Sequence, residues 1–329
     1  MSLVQKALGT EKGINITNIG LMLISTAIAF VIPFKLFLFV YAVLGPLHYL
    51  TEISWLDRKN YFVEKKWQVW PYILVAILLT IAVFSNRSAV RFYSTTMMMA
   101  VVAYTLTLTI SKKHLWAFLV ALATVILCTS MKVDRMFSFV AAFSIFLPTI
   151  VHVFVFTGIF VLFGALKTKS TTGFISFAVF ILCALSFAFF NPPNTEILSA
   201  TEKGYISRYF IVLNRALADV FNVPAASDAE HFASPGLIAI QRFIAFAYTY
   251  HYLNWFSKTS VIKWHEVSKT RMIIIVLLWS LSVLAYYVDY RLGFTVLFTL
   301  SMLHVFLEFP LNVISFKGVA QGFKTMFVK

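Results

Sequence analysis

The stretch AYTYHYLNWF, residues 247–256, lies inside an apolar run that extends from about residue 236 to residue 257. A run of this length and composition predicts a helix that crosses a membrane. Such a helix places His251 and Asn254 on one face, because residues three apart are neighbours on a helix surface. Polar and ionisable side chains are costly inside a bilayer, so their presence indicates a functional site.

Three other apolar runs carry residues of the same kind. They contain His48 with Glu52, His152 alone, and His304 with Glu308. In the segments LHYLTEI, residues 47–53, and LHVFLEF, residues 303–309, a carboxylate follows a histidine by four positions, so a helix presents both on one face.

The composition excludes a soluble globular protein. Hydrophobic residues make up 60% of the 329 residues, charged residues make up 12%, and the mean hydropathy is +0.85. The net charge of +14 falls mostly in short loops, where it sets topology and contacts anionic headgroups. We therefore expect membrane lipids as partners, and no nucleic acid. Cys128 and Cys183 lie inside apolar runs and indicate packing residues.

The recurring apolar runs predict an all-α, polytopic membrane bundle of about ten transmembrane helices. Residues 1–329 are predicted to form a single transmembrane domain. The sixth span is long enough to tilt or to kink at Pro148. The predicted spans cover residues 17–33, 35–55, 69–84, 89–110, 115–130, 136–166, 173–190, 236–257, 271–288 and 291–316.

The distribution of Lys and Arg predicts the orientation. Loops on the same side as the N-terminus carry nearly twice as many of the 27 basic residues as the opposite loops. Since cytoplasmic loops carry the excess, both termini are predicted to be cytoplasmic, in an inner or plasma membrane.

The longest connection, residues 191–235, is predicted on the outer side and contains an amphipathic segment at about 205–221. Its apolar residues recur at helical spacing, which is typical of a helix that lies at the membrane surface. They are Ile206, Tyr209, Phe210, Leu213, Leu217 and Phe221, while Arg208, Asn214, Arg215 and Asp219 take other positions.

Four of the seven histidines, His48, His152, His251 and His304, lie in even-numbered spans, which all run in the same direction. Their depths are compatible with one layer of the bundle. Neutral imidazole is a good ligand for iron, copper or zinc, so the four predict a metal site. Glu52, Glu308 and Asn254 are candidates to orient the imidazoles through hydrogen bonds, and the two glutamates are alternatively candidates to bind the metal directly. His114, His231 and His265 are predicted to be solvated loop residues.

Aromatic residues next to these histidines would line an apolar cavity suited to a lipid-like substrate. They are Tyr49, Tyr250, Tyr252, Trp255 and Phe306. The chain has no histidine boxes of the fatty-acid desaturase kind, no phosphate-binding glycine loop and no nucleophile elbow.

The segments GPLHYLTE, residues 45–52, and LHVFLEFP, residues 303–310, resemble motifs of the Brp/Blh-type membrane carotenoid dioxygenases, which cleave β-carotene to retinal. The resemblance implies an all-helical membrane protein that holds non-haem Fe(II) through His48, His152, His251 and His304. It also implies a carotenoid or other isoprenoid as substrate. The chain differs from the family pattern in Leu47, which separates Pro46 from His48, in having Glu at both acidic positions, and in Asn254, where a second histidine is expected.

Three functions therefore remain open. The first is a membrane-embedded non-haem-iron oxygenase acting on a long apolar substrate. The second is a proton-coupled carrier or a non-catalytic scaffold, in which His–Glu pairs act as a relay or as interhelical hydrogen bonds. The third is a bis-histidine haem protein.

Overall fold

In a computed structural model, residues 10–59, 69–85, 87–130, 145–224, 227 and 229–327 are described, and within these ranges the chain is helical with no strand. The all-α prediction is confirmed. The helices are α1 (Glu11–Val31), α2 (Pro33–Lys59), α3 (Val69–Phe84), α4 (Ser88–Ser111), α5 (His114–Ser130), α6 (Leu147–Thr168), α7 (Thr171–Phe189), α8 (200–220), α9 (Pro235–Ser257), α10 (Thr259–Ile262), α11 (Lys269–Val288) and α12 (Tyr290–Phe327). A short 3₁₀ turn, Glu230–Phe232, precedes α9.

Seven of these helices are long and apolar enough to cross a membrane: α1, α2, α4, α6, α7, α11 and α12. Helices α3 and α5 are apolar but shorter. Each of the ten predicted spans coincides with a helix, except that the beginning of the sixth, from residue 136 to 144, lies outside the described residues. The count of ten membrane crossings and the side of the termini stay predictions.

The helices form two compact units. The first draws on described residues within 1–48, 149–266 and 318–329. Helix α9 is its centre and is buried along most of its length, packing against α1, α7, α8 and the first part of α2. The second unit draws on described residues within 49–148 and 267–317. In it α4 packs against α3 and α5, and the Thr80 hydroxyl lies 2.8 Å from that of Thr299.

Two helices widen into π turns next to proline. In α2 the π turn is Val40–Leu44, just before Pro46, and in α6 it is Leu147–Phe156, which contains Pro148. Proline has no N–H and its ring clashes with the preceding turn, so a wider turn relieves both problems. The backbone of Thr149 leaves the helical region, with φ −112° and ψ −107°. Of the two outcomes predicted for the sixth span, a tilt or a kink at Pro148, the structure has a kink next to this proline.

The beginning of α2 is capped from a distant part of the chain. The backbone N–H groups of Phe34 and Lys35 donate to the carboxylate of Glu196, at 2.9 and 2.8 Å. Partial burial raises the pKa of Glu196, and the two hydrogen bonds offset part of that rise. Glu196 therefore supplies the N-terminal partner that no local side chain provides.

The predicted amphipathic segment is helical, and it packs through the expected face. Ile206, Phe210, Leu213 and Leu217 are buried in α8, whereas Phe221 lies just beyond its end and is 59% exposed. Asn214 is also buried. Its side-chain N–H donates to Oε1 of Gln241 in α9 at 2.7 Å, and this hydrogen bond offsets the cost of burying the amide. The position of the amphipathic segment at the membrane surface stays a prediction.

Candidate metal centre

His251 and His48 bring their ring nitrogens together at the contact of α9 with α2. Their Nε2 atoms are 3.1 Å apart, and the rings meet edge to face with centroids 4.7 Å apart. His251 lies near the end of α9, and His48 follows the π turn of α2. Both side chains are buried.

His152, in the π segment of α6, approaches the same place. Its ring centroid is 4.8 Å from that of His251, again edge to face. Thr157, in the α-helical part of α6, contacts the other side of the His251 ring: its hydroxyl oxygen lies 2.8 Å from Nδ1. Helix α6 therefore contributes both a neighbouring imidazole and a hydrogen-bond partner for His251.

The four histidines predicted from the sequence converge. One ring nitrogen each from His48, His152, His251 and His304 lies within 4.8 Å of all the others, and each side chain is at most 7% exposed. The predicted convergence is confirmed. The group consists of imidazoles alone, so its donors are neutral nitrogens that suit iron, copper, nickel or zinc.

The distance between Nε2 of His48 and Nε2 of His251 fits two ligands of one ion. Nitrogens about 2.0–2.1 Å from a metal lie about 2.8–3.4 Å apart when the angle between the bonds is between a right angle and the tetrahedral angle. The observed 3.1 Å falls inside that interval. His48 and His251 therefore have the donor atoms and the spacing of two ligands of one metal ion.

Glu52 and Glu308 are both buried, and their carboxyl groups are close enough to interact with each other. In the same unit, the ring of Tyr49 stacks on that of His304, with centroids 4.3 Å apart. The role of the two acids in orienting the imidazoles stays a prediction.

The other residues predicted to line a cavity or to orient the imidazoles lie in different surroundings. Tyr252 and Trp255 contact His48, with ring centroids 5.1 and 5.5 Å away. Tyr250 donates its hydroxyl to Asn18 at 3.2 Å and to Asn254 at 3.4 Å. Asn254 therefore belongs to a polar network between α9 and α1. Phe306, in α12, is buried.

For the histidines outside the cluster, one prediction is wrong. His231, predicted to be solvated, is 2% exposed and packs edge to face on Phe34 and Phe232. The 3₁₀ turn folds it inward, and a short loop sequence carries no signal for that. His114 and His265 are exposed, as predicted. Sequence reasoning did not find Thr157, because one threonine among many in the apolar runs has no distinguishing pattern.

Comparisons of the chain with protein-family models, with curated proteins and with solved structures give no match. The interpretation of the centre therefore depends on its own geometry and chemistry.

Proposed function

We propose that this chain is a membrane-embedded oxygenase whose non-haem iron is held by His48, His152, His251 and His304. The observation that carries the proposal is the burial of four imidazoles with their ligand nitrogens within 4.8 Å. Four neutral ligands leave coordination positions for further groups. Bound iron would supply oxygen activation.

The proposed substrate is a long apolar molecule, such as a carotenoid or another isoprenoid. The resemblance of GPLHYLTE and LHVFLEFP to motifs of the carotenoid dioxygenases supports this class. Tyr252 and Trp255 beside His48 supply aromatic surface that would pack on such a chain and exclude water.

Two side-chain arrangements would serve this function. The Thr157 hydroxyl would hold the His251 ring in one orientation, since its oxygen lies 2.8 Å from Nδ1. The Glu52–Glu308 pair would place two carboxyl groups, which can accept and release protons, inside an apolar bundle.

The carboxyl pair is also the observation that favours the second function, a proton-coupled carrier. A bis-histidine haem fits less well. Such a haem uses two histidines, whereas four imidazole nitrogens lie within 4.8 Å of one another here.

The test is the metal content and the absorption spectrum of the full chain purified in detergent. We expect about one iron per chain and no Soret band, together with oxygen-dependent cleavage of added β-carotene. His48→Ala and His251→Ala should each remove most of the iron and the activity. His114→Ala, a change of an exposed histidine outside the cluster, should remove neither.

The other outcomes separate the alternatives. A Soret band would establish the haem hypothesis. A wild-type chain that stays metal-free after incubation with Fe(II), and with Zn(II) as a second probe, would overturn the metal centre and leave the carrier or scaffold. Iron without cleavage of any apolar substrate would overturn the oxygenase but keep the centre.

A further inference from the structure

A buried arginine lies away from the histidine cluster, near the beginning of α9. Arg242 is eight positions into that helix and its side chain is 0% exposed. An ionised side chain in such a place is costly unless a counter-charge accompanies it. Among the residues that the structure describes, no carboxylate pairs with Arg242, and its one hydrogen-bond partner is Asn191.

Among the described residues, the guanidinium group has a hydrogen-bond partner on one side, whereas the nitrogens on another side are buried without one. Nη1 donates to Oδ1 of Asn191 at 2.6 Å, and the Asn191 side-chain N–H donates to the carbonyl of Pro235 at 2.7 Å. The ring of Phe30 lies 5.4 Å from the guanidinium carbon. Within the described part of the chain, Nε and Nη2 have no hydrogen-bond partner.

Those two nitrogens form one edge of the guanidinium plane. Their N–H groups point in parallel, and this fork matches two oxygens of a carboxylate or a phosphate. Phe30 and Asn191 orient the plane and leave that edge as the only one without a partner among the described residues. The arrangement therefore resembles an oxyanion receptor more closely than a closed structural ion pair.

The position of the guanidinium group along α9 indicates which oxyanion it would bind. Side chains on a helix point toward its N-terminus, and Asn191 joins the guanidinium group to the carbonyl of Pro235, the first residue of α9. The group thus lies at the level where α9 begins, and an arginine at a helix end reaches toward the headgroup layer. Asn191 is exposed and the adjacent Phe190 is 63% exposed, so the site is close to the surface.

We propose that Arg242 and Asn191 form a binding site for a phosphate oxyanion at the outer end of the bundle. The Nε and Nη2 groups donate to two phosphate oxygens, and Asn191 holds the guanidinium plane. The phosphate comes either from an anionic lipid headgroup or from solution. This site is independent of the metal centre and of the oxygenase function.

The test measures thermal melting of the full chain in neutral detergent, with two probes. The first is inorganic phosphate, and the second is phosphatidylglycerol in mixed micelles, with diacylglycerol as the uncharged lipid. We expect one of the phosphate-bearing probes, but not diacylglycerol, to raise the Tm by about 2–4 °C at saturation. Stabilisation by phosphatidylglycerol alone assigns the site to lipid, and stabilisation by inorganic phosphate assigns it to a free anion.

Variants connect the effect to the site. Arg242→Gln should weaken binding of the active probe about 10- to 100-fold, because charge-assisted hydrogen bonds are lost. Without a probe its Tm should not fall, since a buried unpaired charge has been removed. Arg242→Lys should bind with intermediate affinity, because the charge remains but the fork is lost. Arg208→Gln, a matched change of an exposed arginine in α8, should bind like the wild type.

Three results would overturn the proposal. One is the absence of any Tm shift with either phosphate-bearing probe. Another is an undiminished shift in Arg242→Gln. The third is a Tm of Arg242→Gln that lies below that of the wild type by the same amount with and without probe, because such a result indicates a structural role for Arg242. If Arg242→Gln does not fold, Asn191→Ala decides the question, because it keeps the charge and removes the anchor: wild-type affinity in that variant contradicts the site.

Discussion

At the scale of single residues, the contact between Thr157 and Nδ1 of His251 has two possible proton arrangements. If Nδ1 carries the hydrogen and donates to the Thr157 oxygen at 2.8 Å, Nε2 keeps a lone pair that can bind a metal. If Thr157 donates instead, Nε2 carries the hydrogen and donates to Nε2 of His48 at 3.1 Å. The first arrangement belongs to a metal centre, and the second belongs to a hydrogen-bonded scaffold.

We expect Thr157→Val to weaken metal binding about 10- to 100-fold, because the ring of His251 loses the partner that fixes its tautomer. Thr157→Ser keeps the hydroxyl and should bind metal normally. Competition with a chelator measures the affinity of each purified variant. Thr249→Val is the control, since the Thr249 hydroxyl donates to the carbonyl of Ala245 in its own helix. Unchanged affinity in Thr157→Val, with a lower Tm, would favour the scaffold.

The sequence predicted the clustered histidines but not their partners. Histidine and glutamate are rare enough in apolar runs to be noticed individually, so His48, His152, His251 and His304 were found without any contact information. Thr157 and the burial of His231 depend on tertiary packing. The types of the residues nearby in sequence do not reveal such contacts.

At the scale of helices, α6 and α7 are joined by a tight connection that depends on a glycine. A Cβ atom at Gly173 would lie 2.8 Å from Cβ and 2.9 Å from Cα of Ala165. The second of these atoms belongs to the backbone, so it cannot rotate away. Gly164, one position before Ala165, would place its Cβ with no atom within 4 Å.

Gly173→Ala should therefore destabilise the protein by about 1–3 kcal/mol, which is the usual effect of overpacking. Gly164→Ala should be neutral or stabilising by up to about 1 kcal/mol, because alanine favours the helix. Thermal or denaturant unfolding in the same detergent compares the two. Equal stabilities would show that α7 can shift away from α6 without loss.

The cap that Glu196 places on α2 predicts a dependence on pH. The folded-state pKa of Glu196 is raised above its ordinary value, so the folded state binds the proton more tightly than the unfolded chain. Its contribution to stability is complete below the ordinary pKa of glutamate and is lost as the pH rises through the raised value. The Tm of the wild type, relative to that of Glu196→Gln, should therefore increase on acidification. A difference that is constant with pH, or that has the opposite sign, would contradict this.

The apolar runs predicted the helices well, because a membrane-length run of hydrophobic residues admits few other structures. Helix α9, for example, begins and ends within about a residue of its predicted bounds. The π turns in α2 and α6 were not predicted beyond a kink at Pro148, since a single extra residue leaves the hydropathy of a run unchanged.

At the scale of the whole molecule, the excess of Lys and Arg in alternate loops predicts that both termini are cytoplasmic. Seven helices are suitable to cross a membrane by length and composition. Helix α9 also has a suitable length, but its buried polar residues, Gln241, Arg242, Thr249, His251 and Asn254, reduce its hydrophobicity. The topology therefore requires an experiment that does not depend on hydropathy.

Single cysteines provide that experiment, after Cys128 and Cys183 are replaced by Ala. We expect Thr195→Cys, in the predicted outer loop, to react with a membrane-impermeant maleimide in intact cells. His265→Cys, in a loop predicted to be cytoplasmic, should react only after the membrane is opened. Both positions are exposed. Reaction of both from one side would show that the number of crossings between them is even.

The π turn Val40–Leu44, which ends four positions before His48, also affects how this chain can be compared with others. It inserts one residue into a helix, so every side chain after it is rotated by about 100° from the α-helical phase of the side chains before it. A related chain without the turn would be one residue shorter there and would still direct its histidine to the same place. An alignment that forbids gaps inside helices would then pair His48 with the wrong residue.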